Sequence, residues 1–563
     1  VNIFDSDRDV LPIWVSSNEA AKLPELNPIN TKKDFGVFVE ATPAILAEFE
    51  HEKSVGVAIE LLNSAIVEGR SEVATRAAEY LLAVEGLPVP VQHLVGSTLG
   101  IQELTSSEVN VNTIARLRTR IRSGGRDPLA WVDLSREYAI LGEKERSQKA
   151  MLTALQLADN HRWVTRVASR AFIHFKEPDK AYSIISKNPN LKIDPWLIAT
   201  EMAVARKAER STKLWNIGKR FLESNIKPFH VTELASSVAT NELLSGADKK
   251  ARPFFKQSLL DPNQNSLAQA KWAERTSSLK NLVQVSLDSS VVAHEAKYWE
   301  AYSNKDMLSA LRHAKAWFAE EPFSSNPPIA ISYLAAMLDD YEEISAATRK
   351  GLKANPDNTT LKLNYIFGWL ATSDLNNQDK QKVDSNIRML SAILHGEDKA
   401  EAAHAMANIG MFFYRIGRPE DGKARYDAAE EYFEKNYPGA RLMLLVNHLR
   451  EALIAEAPWT TEILKRAKEL VVKKQVSTTP GAEFYLEKIG YLSNEPGSWK
   501  EKFGKSQSAL ANEKVNRLAI QDVVAKRLKV ENTFWLPPQF GRIDTLREFT
   551  ESKKLESPKQ KKN

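Results

Sequence analysis

The feature that most constrains this chain is a helix–turn–helix pattern that occurs three times. In residues 127–158, Trp131, Leu134 and Tyr138 fall at i, i+3 and i+7, on one helical face. Gly142 then marks the turn into a second helix that carries Ser147, Met151 and Ala154. Residues 405–435 repeat the arrangement with Ile409, Gly410 and Phe413, then Gly417 at the turn, then Gly422, Tyr426 and Ala429. Residues 338–358 carry a second-helix copy with Ile344, Thr348 and Gly351. Asn355 and Pro356 close it, because proline donates no helix hydrogen bond and restricts the residue before it.

These copies resemble tetratricopeptide repeats, in which about 34 residues form two antiparallel helices. In that family the second helix carries a small residue, a bulky or aromatic one and another small one, and a proline ends it. Ser147, Met151 and Ala154 stand at those positions, as do Gly422, Tyr426 and Ala429, while Ile344 and Thr348 depart from the pattern beside Gly351 and Pro356. The resemblance implies an all-α solenoid of stacked antiparallel hairpins, a TPR-like superhelix whose concave surface is lined by first helices. Such a surface suits an extended peptide or a partner helix. Some members clamp a carboxyl-terminal peptide from fixed first-helix positions. Asn364 is compatible with one of them, but Ile329 and Tyr333 fill the preceding pair, so that activity is not carried over.

Other segments fit the pattern less closely. Residues 1–45 contain two short β-branched and aromatic runs, 10–17 and 35–39, which signal a small irregular or β-containing cap or arm. Covering the apolar end of a solenoid is the favoured role. Residues 46–126 read as helical hairpins, including one over 54–86, and residues 127–459 as the TPR-like solenoid, with degenerate repeats at 163–187 and 251–263. Residues 460–545 read as a basic helical cap and 546–563 as a disordered tail.

Composition removes several function classes. The chain has 563 residues and no cysteine, so thiolate catalysis, disulfides and thiolate metal sites are excluded. Ten histidines are scattered, and the sequence holds neither HExxH, nor GxxxxGK[ST], nor GxSxG. Asp5, Asp7 and Asp9 alternate like the start of a calcium loop, but Val10 and Ser16 occupy the positions that need glycine and glutamate. The reading is therefore of a non-enzyme that needs no cofactor and no metal. No apolar run reaches the roughly 20 residues of a membrane span, and no signal-peptide pattern opens the chain, which predicts a cytoplasmic protein. Paired carboxylates such as Glu342-Glu343 and Glu430-Glu431 read as solvated faces, and His404 as a packing or surface residue.

Charge supplies the remaining candidates. The net charge is +5, and residues from 460 onward hold an excess of about eight positives. Arg116, Arg118, Arg120 and Arg122 crowd one short helix whose apolar stripe is Ile114, Leu117 and Ile121. With Lys514, Arg517, Lys526, Arg527 and Lys529 they are candidate contacts for an anionic partner, since guanidiniums and ammoniums meet phosphates and carboxylates. Phe534, Trp535 and Phe540 either seal the last helices or dock another protein. The sequence thus predicts a scaffold or adaptor for a partner protein or peptide. The alternative is a nucleic-acid-associated protein that uses residues 116–122 and the basic carboxyl-terminal region.

Overall fold

Helices in this chain begin where a short oxygen-bearing side chain can take the free N–H groups of a first turn. Asp127 accepts from Leu129 and Ala130 at 3.0 and 3.3 Å ahead of Pro128, and Asp194 accepts from Trp196 at 2.9 Å ahead of Pro195. Asn358 and Asp398 do the same further along, and Asn263 forms a reciprocal capping box with Ser266. The computed structural model describes residues 8–17, 42–84, 87–99, 106–284 and 293–472 apart from a few interior positions, with Leu287 and residues 481, 484, 485, 488 and 489. The described residues form 24 helices and no strand, an all-α fold of stacked antiparallel hairpins.

The described residues divide between two compact units. The amino-terminal unit, Arg8–Gln284, holds α1 (Thr42–His51), α2 (Val55–Val67), α3 (Ser71–Leu82), α4 (Val89–Thr98), α5 (Ser106–Gly124), α6 (Pro128–Ile140) and α7 (Lys144–Leu157). It continues with α8 (Arg162–His174), α9 (Pro178–Ser186), α10 (Pro195–Lys207), α11 (Trp215–Glu223), α12 (Pro228–Leu244), α13 (Asp248–Ser258) and α14 (Gln264–Thr276). The carboxyl-terminal unit holds α15 (His294–Ser303), α16 (Met307–Glu320), α17 (Asn326–Met337), α18 (Tyr341–Ala354) and α19 (Thr359–Thr372). Then come α20 (Lys380–Leu394), α21 (Lys399–Arg415), α22 (Pro419–Asn436), α23 (Pro438–Ile454) and α24 (Thr460–Val472).

One turn geometry recurs through both units. After α6, α8, α10, α12, α15, α17, α21 and α23 a single residue takes positive φ: Gly142, Lys176, Glu209, Gly246, Lys305, Asp339, Gly417 and Glu456. In each case the next N–H reaches back five residues, as from Glu143 to the Tyr138 carbonyl and from Asp340 to the Ala335 carbonyl, at 2.9 and 2.8 Å. Thirty-four residues separate Gly142 from Lys176, and the same number separate Lys305 from Asp339. The repeat is therefore written more evenly in the backbone than in the side chains, since five of the eight turn residues are not glycine.

Within hairpins, small residues let backbones meet. Helices α21 and α22 cross at Gly410 and Gly422, where a Cβ on Gly422 would lie 2.5 Å from the Tyr414 ring and 2.9 Å from the Gly410 carbonyl oxygen. Tyr414 cannot give way, because its hydroxyl is held by Trp459 Nε1 at 2.8 Å and by His448 Nε2 at 2.9 Å. Gly351 likewise faces Pro328, 2.7 Å from a would-be Cβ. The amino-terminal core holds Phe49, Leu61 and Leu81 in its first hairpins and Ile114, Leu134, Tyr138 and Ala150 in the next. Trp131, Leu117 and Ile121 pack against that second cluster. In the carboxyl-terminal unit Ile344, Tyr426 and Ala429 are buried.

Gly422→Ala is expected to lower stability by about 1–3 kcal/mol through overpacking, read as a lower midpoint in denaturant unfolding of the full chain. Conversely, Lys305→Gly removes a left-handed strain of about 1–2 kcal/mol at a smaller entropic cost, so its unfolding midpoint should rise.

Candidate functional site

The first helices of successive hairpins in the amino-terminal unit form a row: α6 packs on α8, α8 on α10, α10 on α12 and α12 on α14. Three of them are buried around nearly their whole circumference, including Trp163 to Ser169 on α8, Pro195 to Ala205 on α10 and Val231 to Thr240 on α12. Such burial ordinarily demands apolar sequence all round. Here it also takes in Arg166, Glu201, Glu233, Thr200, Thr232 and Thr240.

Arg166, Thr200 and Glu233 partner one another, while Glu201, Thr232 and Thr240 meet Thr212, the Ser258 carbonyl and Gln269. Arg166 donates through Nε to Thr200 Oγ1 at 2.9 Å and through Nη2 to Glu233, with its guanidinium 5.0 Å from the Trp196 ring centroid. Both members of that ion pair are essentially without solvent contact. The other Glu233 oxygen accepts from Asn263 at 3.0 Å and from Asn265 at 3.2 Å. One carboxylate thus ties α8, α12 and the start of α14 together. Burial lowers the Arg166 pKa while Glu233 and Asp194 oppose the shift.

Across this row lies an arm, residues 8–17, without regular secondary structure except at the helical Ser17. Its main chain is gripped by side chains of the row: Gln269 Nε2 donates to the Arg8 carbonyl at 2.8 Å, Asn265 Nδ2 to the Leu11 carbonyl at 2.8 Å, and Arg136 Nε to the Trp14 carbonyl at 3.1 Å. Ser17 donates to Asp133 through its N–H at 2.7 Å and its hydroxyl at 2.5 Å. Asp9 sits between Arg206 and Lys207, with Arg206 Nε 2.5 Å and Lys207 Nζ 3.0 Å from its oxygens. Val10, Pro12, Trp14 and Val15 are buried, and the Trp14 indole has no solvent exposure. Desolvation pushes the Asp133 carboxyl up to about 6, although Ser17, Arg120 and Arg136 pull the other way.

In the carboxyl-terminal unit, Gly481, Phe484, Tyr485, Lys488 and Ile489 are helical and buried, a stripe at i, i+3, i+4, i+7 and i+8. Phe484, Tyr485 and Ile489 join the core around Tyr298, Tyr302, Leu334 and Met337. Lys488 Nζ lies 2.5 Å from Asp339 Oδ1 and 3.2 Å from the Ala336 carbonyl. Asp339 also accepts from the Tyr341 hydroxyl, which Arg450 contacts in turn. Glu451 takes Arg450 at 2.7 Å and Arg415 at 2.8 Å. Burial pushes the Glu451 carboxyl up, yet the two arginines outweigh it and hold it below the usual range.

The sequence candidates fall as follows. Arg118 donates to the Tyr138 hydroxyl at 2.6 Å, and Arg120 pairs with Asp127 at 2.6 Å. Arg116 and Arg122 are exposed on the same helix, Arg116 reaching Thr113 at 3.3 Å. Lys514, Arg517, Lys526, Arg527 and Lys529 lie outside the described residues, as do Phe534, Trp535, Phe540, Asp5, Asp7 and the run 35–39. Of the repeat positions, Leu134, Tyr138, Ala154, Ile344, Gly351, Gly410, Tyr426 and Ala429 are buried, Trp131 is half-buried, Gly142 and Gly417 sit at left-handed turns, and Phe413 lies 5.0 Å from the Arg418 guanidinium. Pro356 follows Asn355, whose Nδ2 donates to the Phe323 carbonyl at 2.9 Å.

One reading needs correction. Glu430 is buried rather than solvated, because Arg441 and Arg466 reach it from α23 and α24 at 2.7 and 2.6 Å, while Glu431 is exposed and meets Lys435. His404 packs edge-on against Phe433 at 4.8 Å, and burial lowers its pKa to about 3. Sequence reasoning missed the first-helix clamps altogether. Their one visible signal was Trp14 within a short apolar run.

Two outcomes follow. Glu233→Gln strands the buried Arg166 charge and is expected to cost about 3–5 kcal/mol, measured by equilibrium unfolding. Asp133, with its folded pKa raised, contributes stability that is present below about pH 4 and is lost as pH rises through about 6. The stability of the chain relative to Asp133→Asn should therefore rise as pH falls from 7 to 4, by no more than about 2 kcal/mol given the solvent the residue retains.

No family model matches the chain, and no curated protein matches it. Among solved structures it is similar to the human IFIT1 dimer with PPP-AAAA, at 11% identity and a TM-score of 0.27 over 82% of this chain and 96% of that one. It is also similar to a monomeric mutant of IFIT1 with Gppp-AAAA, at 13% identity and a TM-score of 0.25 over the same shares. Superposition at that level assigns no function to this chain.

Proposed function

We propose that this chain is a TPR-type adaptor that binds a non-helical segment of a partner protein along the α6–α14 row. The observation that carries the reading is the arm itself. Three side chains of the row already hold three carbonyls of a non-helical segment, at 2.8–3.1 Å, and do so without regard to the side chains between them. Main-chain capture of this kind gives affinity, and pockets for chosen side chains add specificity. The 34-residue spacing of Gly142 and Lys176, and of Lys305 and Asp339, supports the repeat family. The activity so described is binding, with no bond made or broken.

Nucleic-acid association is the weaker reading. Of the four arginines on α5, two are engaged with Tyr138 and Asp127, which leaves Arg116 and Arg122 as a narrow basic patch there, while the basic carboxyl-terminal region that this reading also uses lies outside the described residues.

Affinity capture from native lysate with the full chain as bait tests the adaptor reading. A stoichiometric protein should be recovered after nuclease treatment, and its yield should fall about tenfold or more, equivalent to some 1.4 kcal/mol, when Asn265 and Gln269 are both changed to Ala in a chain that still melts as a folded protein. Recovery that vanishes with nuclease, together with RNA or DNA binding that weakens steeply with salt and on Arg116→Gln with Arg122→Gln, would instead select the nucleic-acid reading.

A further inference from the structure

The arm has a register that says what else would fit its place. The row takes the carbonyls of residues 8, 11 and 14, and Asp133 takes Ser17, so contacts recur at every third residue. The segment is irregular rather than a repeating helix: the Leu11 N–H turns back to the Asp9 carbonyl at 2.8 Å, while the carbonyls of residues 8, 11 and 14 take their partners from the row. Pro12, inside the segment, has no N–H to satisfy and a fixed φ, which keeps the chain out of a regular helix there. Two side chains are read as well: the Asp9 carboxylate between Arg206 and Lys207, and the Trp14 indole, fully enclosed five residues later. Leu11 and Ile13 are only partly buried.

We infer that the row is a recognition site for a non-helical segment that carries a carboxylate five residues before a large aromatic side chain, and that residues 8–17 are a resident stand-in which such a segment of a partner protein displaces. This rests on the adaptor reading and names its ligand. A tethered occupant competes at an effective concentration of order millimolar, so the site is occupied until a partner with the same pattern arrives in excess or with better complementarity. The cationic end suits exchange, since Arg206 and Lys207 retain 24% and 38% side-chain exposure.

The probe is a fluorescein-labelled peptide of residues 8–17 added to the full chain and followed by anisotropy. A chain weakened in its own arm by Asp9→Ala and Trp14→Ala should bind the peptide at least about tenfold more tightly than the unaltered chain, because the competitor is removed. A peptide with Asn in place of Asp9 should bind roughly tenfold more weakly, and Arg206→Ala in the protein should erase that difference, as coupled partners do in a double-mutant cycle. A folded, arm-weakened chain that ignores the peptide, or that binds the Asn peptide equally, overturns the inference.

A second measurement leaves the arm sequence intact. A protease site introduced within residues 18–41 lets the arm be cut free, after which labelled peptide should exchange into the site. An arm that never exchanges, or a chain that unfolds on cutting, shows a structural strand of the core and overturns the inference. A dimer that disappears when residues 1–17 are removed also overturns it, in favour of a second copy as donor. Partner capture that survives Arg206→Ala leaves the adaptor reading standing and removes this one alone.

Discussion

The amino-terminal unit depends on the contact between Arg166 and Glu233. A guanidinium and a carboxylate taken wholly out of water cost several kcal/mol each, and the cost is offset only when the remaining donors and acceptors find partners. Thr200 supplies one on α10, the Trp196 ring lies alongside, and Asn263 and Asn265 fill the second oxygen of Glu233 at the start of α14. Asn265 then spends its other N–H on the Leu11 carbonyl. The ion pair, four helices and the arm thus belong to one hydrogen-bond network, and each member restricts where the next can stand.

The two units solve a common problem in different ways. A row of first helices that carries polar groups on its inner face must find partners for them. In the amino-terminal unit a non-helical arm offers carbonyls to Arg136, Asn265 and Gln269. In the carboxyl-terminal unit a helical stripe offers side chains, and Lys488 closes on Asp339 and on a carbonyl in the last turn of α17. A non-helical strip presents carbonyls to its surroundings, whereas a helix has already used its own. Only the first arrangement leaves a main-chain ladder that another peptide can copy.

Much of the scaffold was legible in the sequence, and the site was not. Trp131, Leu134 and Tyr138 announce their helix by spacing alone, and Gly142 and Gly417 announce their turns because glycine tolerates positive φ at no steric cost. Lys176, Glu209, Lys305, Asp339 and Glu456 make the same turn with residues that give no such signal. Helix α8, in the stretch 163–187, looked degenerate because burial on nearly every side blurs the two-faced pattern on which periodicity relies. Glu430 looked solvated because its partners, Arg441 and Arg466, arrive from helices that a local reading cannot bring near. The arm contacts span up to 261 residues of sequence, and no window along the chain contains both ends of such a bond.

That separation has a consequence for how the protein is made. Residues 8–17 leave the ribosome before the groups that receive them, which extend to Gln269, near the end of the unit. The Arg8 and Leu11 carbonyls therefore stay without their partners while some 250 residues of chain are synthesised, whereas Arg136, which takes the Trp14 carbonyl, follows after 122. Closing so long a loop adds little entropy beyond that of a shorter one, but it orders events, since α6 can receive Trp14 and Ser17 early while Arg8 and Leu11 wait until the row is nearly whole. Docking of the Arg8–Leu11 end of the arm is the natural last step of folding in this unit, and capture of its two carbonyls by Gln269 and Asn265 marks its completion.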